Sequence, residues 1–253
     1  MIPLHGESAQ GTETDEKPKI VAHRGYWNRP EAGFAKNSLA AFRCALEEGF
    51  WGTEFDVNIT KDGRLVVYHD IKADRMHFNK HDFKDFKDIR LANGESIPVV
   101  EEFLELALKY PDTRLIYELK PQGSKEFDRK LIDATKAILE EYGLMDPSRV
   151  SFISFSFDIC RSLAEELPGF EVQFLGFKNP GKVHRGGING VSTNQWLFKI
   201  FPKRVKTAKG LGMTVNCWTV NKEKDMRKMI GLDVDMITTD HPQTLRKMLK
   251  EVK

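Results

Sequence analysis

Short apolar runs alternate along this chain with longer segments whose apolar residues recur every three or four positions. That alternation is expected of a parallel sheet joined by helical crossovers. Strands are predicted at Ile20–His23, Thr53–Val57, Leu65–His69, Arg114–Lys120, Val150–Ser154, Glu171–Gly176, Gly190–Thr193, Thr214–Val220 and Val234–Thr238. This is one more than a closed eight-stranded barrel needs, so one strand is accessory or misassigned. Leu39, Phe42 and Leu46 fall on one helical face, with Asn37 or Ser38 as the cap and Gly49 as the stop. Pro98 and Pro111 bracket a helix in VVEEFLELALKY. Further helices are predicted at Lys125–Tyr142, Phe157–Glu166, Pro202–Lys209, Lys222–Ile230 and Gln243–Lys250. Only eight residues separate Asp56 from Leu65, and they include the turn Thr60-Lys61-Asp62-Gly63. A crossover helix does not fit there, so the expected α/β barrel is irregular around its second and third strands.

Composition narrows the class. The 253 residues suit one large domain over residues 20–253, preceded by a flexible polar tail over residues 1–19. Hydrophobic residues make up 40% and charged residues 30%, and no apolar run approaches the roughly 20 residues that span a bilayer. Lys and Arg total 39 against 37 Asp and Glu; the net charge of +2 gives no reason to expect nucleic acid as a partner. Any anion must then be held locally. No repeat, low-complexity linker or composition break follows residue 20, and no basic amphipathic segment calls for a membrane surface. Cys44, Cys160 and Cys217 lack metal-site spacing and read as small buried residues. The opening MIPLHGESAQGTETDEKPK lacks a basic start followed by an apolar stretch. The expectation is a cytoplasmic protein, or a periplasmic or secreted one if an export leader was removed.

Strands show alternate residues on opposite faces. Val21 and His23 share a face, as do Glu54 and Asp56, Val67 and His69, and Ile116, Glu118 and Lys120. Four consecutive strands thus turn acids, imidazoles and a lysine to one side near their C-terminal ends, the rim where barrel active sites are built. Three converging carboxylates, Glu54, Asp56 and Glu118, would repel one another unless a cation sat among them, and oxygen ligands favour Mg²⁺ or Ca²⁺. His23 and His69 are then free for proton transfer. Arg24 and Lys120 add fixed charge of the kind that holds a phosphate. Together these residues describe phosphoryl chemistry better than glycoside or peptide hydrolysis.

The run VAHRG…KNSLAAFRCALEEG…GTEFDVNITKDGRLVVYHD, over residues 21–70, resembles the N-terminal signature of glycerophosphodiester phosphodiesterases. YELK (117–120), SFISF (151–155), NCWTVN (216–221) and ITTDHP (237–242) resemble the later signature segments in the same order. The resemblance implies a TIM-type (β/α)8 barrel that hydrolyses a small glycerophosphodiester to glycerol 3-phosphate and an alcohol, using one divalent cation. It makes His23 and His69 the acid–base pair, Glu54, Asp56 and Glu118 the metal ligands, Arg24 and Lys120 the phosphate contacts, and Trp218 an aromatic wall of the substrate pocket. Rival readings are a lysophospholipase D or phosphoinositide-type lyase, which a broad apolar rim would favour, and a catalytically silent phosphodiester-binding barrel. One position departs from the family pattern: Lys36 stands where an acid usually precedes the Asn-Ser pair, with Glu31 upstream as a candidate substitute. His184, in a second HRG triplet after a loop-like Lys-Asn-Pro-Gly, is read as unrelated, and His77 and His81 as solvent-exposed.

Overall fold

The computed structural model describes residues 17–251. Most of the expected tail, residues 1–16, therefore lies outside the described residues. In chain order the elements are β1 (Lys19–Ala22), α1 (Leu39–Glu47), β2 (Gly52–Ile59), β3 (Leu65–Val67), β4 (Lys72–Ala73), β5 (Met76–His77), α2 (Val100–Ala107) and β6 (Arg114–Leu119). There follow α3 (Lys125–Glu141), β7 (Val150–Ser154), α4 (Phe157–Glu166), β8 (Glu171–Leu175), α5 (Pro180–Arg185), β9 (Gly190–Asn194) and α6 (Gln195–Ile200). The last are α7 (Lys203–Gly210), β10 (Thr214–Trp218), α8 (Glu223–Gly231), β11 (Met236–Thr239) and α9 (Pro242–Glu251).

Eight parallel strands, β1-β2-β6-β7-β8-β9-β10-β11, close on themselves through the β1–β11 and β1–β2 pairings, giving the TIM-type barrel. The ninth predicted strand is the accessory one: β3 pairs antiparallel with the outer half of β2, Val57 opposite Val67. The doubling-back turn is held by its own side chains. Thr60 Oγ1 donates to Asp62 Oδ1 (2.5 Å) and accepts from Arg64 N (2.9 Å), while Gly63 takes a φ of 87° that its missing Cβ makes cheap.

Side-chain parity sorts the core into two layers. Phe55, Tyr117 and Phe152 point outward to the helices and pack with Phe42 and Phe103; the Phe42 and Phe103 centroids are 4.2 Å apart. Val21, Ile116, Ile153, Leu175 and Met236 point inward and fill the barrel below the rim. A smaller cluster around Val66, Phe78, Phe86 and Ile97 supports the excursion between β3 and α2, where a regular barrel has only a crossover helix.

Two short helices, α5 and α6, were not predicted. Six residues give too little periodicity to read, but each has a cap: Asn179 accepts from Gly181 N, and Asn194 from Trp196 N. The segment before His184 is thus a capped helix start and not a loop.

Candidate active site

The rim begins with a left-handed turn after β1. His23 N continues the β1 ladder by donating to Thr239 O (3.1 Å). Arg24 and Gly25 then take φ values of 56° and 77° and swing the chain off the barrel. A Cβ on Gly25 would lie 2.6 Å from the Ala41 carbonyl carbon, so a side chain there would force α1 away. The turn aims Arg24 N at Glu54 Oε2 (2.8 Å). Asn37, also left-handed at φ 58°, donates from Nδ2 to Asp56 Oδ2 (2.7 Å). It therefore serves the site, and Ser38 caps α1 by accepting from Ala41 N.

Sheet register brings the carboxylates together. Asp56 on β2 lies directly beside Glu118 on β6, and Glu54 is one inward step below. All three are buried, and one oxygen from each lies within 4.8 Å of the others. Lys120 Nζ sits 2.8 Å from Asp56 Oδ1 and bonds Glu118, and Arg24 Nε lies 3.3 Å from Asp56 Oδ2. Two cations thus face three buried carboxylates.

The imbalance shows in the titration behaviour. Burial, then Asp56 and Glu118, raises Glu54 well above the usual carboxylate range; burial and Asp56 push Glu118 up to about 7. Burial also acts to raise Asp56, but Lys120, Arg24 and Asn37 outweigh it and the net shift is downward. Glu54 Oε1 is buried without a hydrogen-bond partner. An orphaned carboxylate oxygen within an under-compensated cluster fits a hard divalent cation, which Glu54, Asp56 and Glu118 would hold.

The two imidazoles reach the rim by different routes. His23 Nδ1 is 2.7 Å from Asp240 Oδ1, and that carboxylate also accepts from Trp27 Nε1 (2.9 Å) and from Asn221 Nδ2 (2.6 Å). Burial opposes ionisation of Asp240, yet the bonds from His23, Trp27 and Asn221 hold its carboxyl far below the ordinary range. His69 comes from the loop after β3. Val67 packs in the outer layer with Val57, so the expected shared strand face with His69 is wrong: alternation ends with the strand. His69 reaches the mouth because Tyr68 N, bonded to Asp56 O (3.0 Å), sets the loop level with that carboxylate. Its Nδ1 lies 2.8 Å from Asp70 Oδ1, and burial followed by Lys120 lowers its pKa.

His23, Arg24, Glu54, His69, Glu118 and Trp218 line one solvent-connected cavity of about 100 Å³. Asp56 and Lys120 lie behind its wall as partners of Glu118 and Arg24. Trp218 packs edge-on against Phe155 at 5.7 Å on the far side, where Ser192, Asn216 and Thr238 form a hydrogen-bonded floor. The departure at Lys36 does not enter the site; its ammonium lies 4.4 Å over the Trp27 ring. Glu31 pairs with Arg29 (2.8 Å) and does not replace the missing acid. His77 and His81, expected to be exposed, are half-buried in the β5 excursion.

Asp240, Asn221 and Trp27 were missed as functional residues. Asn221 and Asp240 lie inside NCWTVN and ITTDHP, segments noticed for their resemblance, but roughly 200 residues from His23, and only barrel closure makes them neighbours.

The family model for the glycerophosphoryl diester phosphodiesterase family matches residues 23–244. A glycerophosphodiester phosphodiesterase from Caldanaerobacter subterraneus is 33% identical over 256 residues, covering 93% of this chain and 99% of the relative. A crystal structure of a glycerophosphodiester phosphodiesterase from Parabacteroides distasonis superposes with a TM-score of 0.88 at 37% identity, covering 93% of this chain and 98% of that one. An Oleispira antarctica phosphodiesterase, solved in complex with the product sn-glycerol-3-phosphate, shares the fold at 23% identity and a TM-score of 0.79, covering 92% and 97%.

Proposed function

We propose that this chain, which belongs to the glycerophosphoryl diester phosphodiesterase family, hydrolyses glycerophosphodiesters to glycerol 3-phosphate and an alcohol at the mouth of its barrel. The observation that carries the reading is the three-carboxylate cluster, with its orphaned Glu54 oxygen, at the wall of a cavity lined by two histidines. When bound there, Mg²⁺ or Ca²⁺ would polarise the phosphate and offset its charge. Arg24 and Lys120 supply the fixed positive charge on the same side, and Trp218 offers an apolar wall to the rest of the substrate.

His23 is the base in this account. With Nδ1 committed to Asp240, its Nε2 is the nitrogen left to take a proton from the attacking oxygen, either of water, giving glycerol 3-phosphate directly, or of the neighbouring glycerol hydroxyl, giving a cyclic phosphate that water then opens. His69 then protonates the leaving alkoxide. Its lowered pKa makes its protonated form a stronger acid than free imidazolium.

A panel of glycerophosphodiesters assayed with Mg²⁺, with Ca²⁺ and with chelator tests the reading. Metal-dependent release of glycerol 3-phosphate is expected; equal turnover in chelator would overturn it. A silent barrel is disfavoured because both histidines and all three carboxylates remain in place. Exposed Phe155 beside Trp218 favours an acylated substrate as a second reading. Turnover of glycerophosphocholine against its acylated analogue separates the two.

A further inference from the structure

The net charge of +2 conceals a strong asymmetry. Between Val172 and Lys222 there are nine Lys or Arg and no Asp or Glu, so the rest of the chain is net acidic. This composition break escaped the sequence reading because it coincides with ordinary strands and helices. The segment runs from β8 into the loop after β10, one side of the barrel.

The same segment carries a concentration of exposed apolar side chains. Phe177 follows β8 at the catalytic rim and is 46% exposed; Trp196 and Ile200, one turn apart on α6 just after β9, are each 64% exposed. Phe201, at the end of α6, packs on Phe177 with ring centroids 5.6 Å apart. The patch is built, since the Arg204 guanidinium lies 4.3 Å over the Phe177 ring and donates to the Phe177 carbonyl (3.0 Å). Lys178 and Lys203 flank it, both exposed.

We infer that this sector of the rim docks the enzyme on an anionic lipid surface. Aromatic and aliphatic side chains ringed by Lys and Arg match the two components of such a surface, acyl interface and acidic headgroup. Ile200 contributes nothing to base stacking, and one face of Phe177 is already covered by Arg204, which disfavours single-stranded RNA. Asp225 pairs with Lys199 and Asp233 with Lys209, but a second copy docked through the same patch would bring Lys178, Lys203 and Arg204 of both copies together against their mutual repulsion. Because β8 and β9 deliver the patch at their C-terminal ends, docking would set the cavity mouth beside the membrane. This inference stands apart from the proposed hydrolysis, because its readout is binding.

The test is co-sedimentation of the full chain with vesicles of phosphatidylcholine alone and of phosphatidylcholine with phosphatidylglycerol, at low and high salt. Wild type should pellet preferentially with the anionic vesicles. The triple variant Phe177→Ser, Trp196→Ser, Ile200→Ser and the double variant Lys178→Glu, Lys203→Glu should each reduce that partition by about tenfold. Turnover of soluble glycerophosphocholine by both variants should match wild type, which shows that they fold. No pelleting at low salt, or pelleting of both variants at the wild-type level, would overturn the inference. So would tighter binding to single-stranded RNA that depends on the same residues.

Discussion

The two histidines of the cavity form outwardly similar pairs with aspartate, at 2.7 Å for His23–Asp240 and 2.8 Å for His69–Asp70, yet the pairs differ in what surrounds them. The side chains of His23 and Asp240 are 16% and 13% exposed, and Asp240 is bound by three donors from two distant parts of the chain. Those of His69 and Asp70 are 45% and 66% exposed, and the two residues are sequence neighbours. A short distance alone therefore does not measure how firmly an imidazole is set. Water competes for the exposed pair, whereas the buried one fixes both tautomer and ring orientation.

The largest consequence is kinetic. Asp240→Asn should lower kcat by about 10²–10⁴, because the amide favours the wrong His23 tautomer, while Asp70→Asn should cost less than about tenfold. Steady-state rates for the two variants check this, and equal losses would dissolve the contrast. Stability should diverge in the same direction. Asp240→Ala strands three partly buried donors and should cost about 1–3 kcal/mol by denaturant unfolding, against about 0.5 kcal/mol or less for Asp70→Ala.

A third prediction concerns the carboxylate cluster between the pairs. Glu118 is raised to about 7 in the folded, metal-free protein, so between its unfolded value and that pH the folded state holds the extra proton. Metal-free stability should consequently fall as pH rises from about 4.5 to about 7, by roughly 1–3 kcal/mol. Millimolar Mg²⁺ or Ca²⁺ should restore it, and Glu118→Gln should lessen the fall while the part that Glu54 contributes remains. A thermal-melt series across pH, with and without metal, reads this out. The smallest effect belongs to Lys36: its exposed contact with Trp27 is worth about 0.5 kcal/mol, and Lys36→Ala should leave kcat within roughly twofold.

What the sequence disclosed follows the range of the physics involved. Strand parity is local, so Glu54, Asp56 and Glu118 could be placed on one inner face before their register was known. Alternation also identified Val150–Ser154 and its neighbours as barrel strands, but it failed at His69, where β3 stops two residues short and a loop bond to Asp56 takes over. The anchoring of His23 was hidden for a different reason: Asp240 and Asn221 meet His23 and Trp27 only when β1 closes the barrel against β11. Nor could Asn37 be distinguished from Ser38 as a cap, since both residue types suit that position and only the left-handed backbone at Asn37 sends its amide to Asp56. The acid-free belt from Val172 was visible in the letters but disappeared in the chain-wide charge balance.

The most direct test of the central claim is the turnover of glycerophosphocholine by His23→Ala and His69→Ala at saturating divalent metal, with folding of each variant verified by its melting profile. The account predicts losses of about 10²–10⁴ in kcat for both, with the His23 variant the more severe. Wild-type turnover in both variants would contradict it.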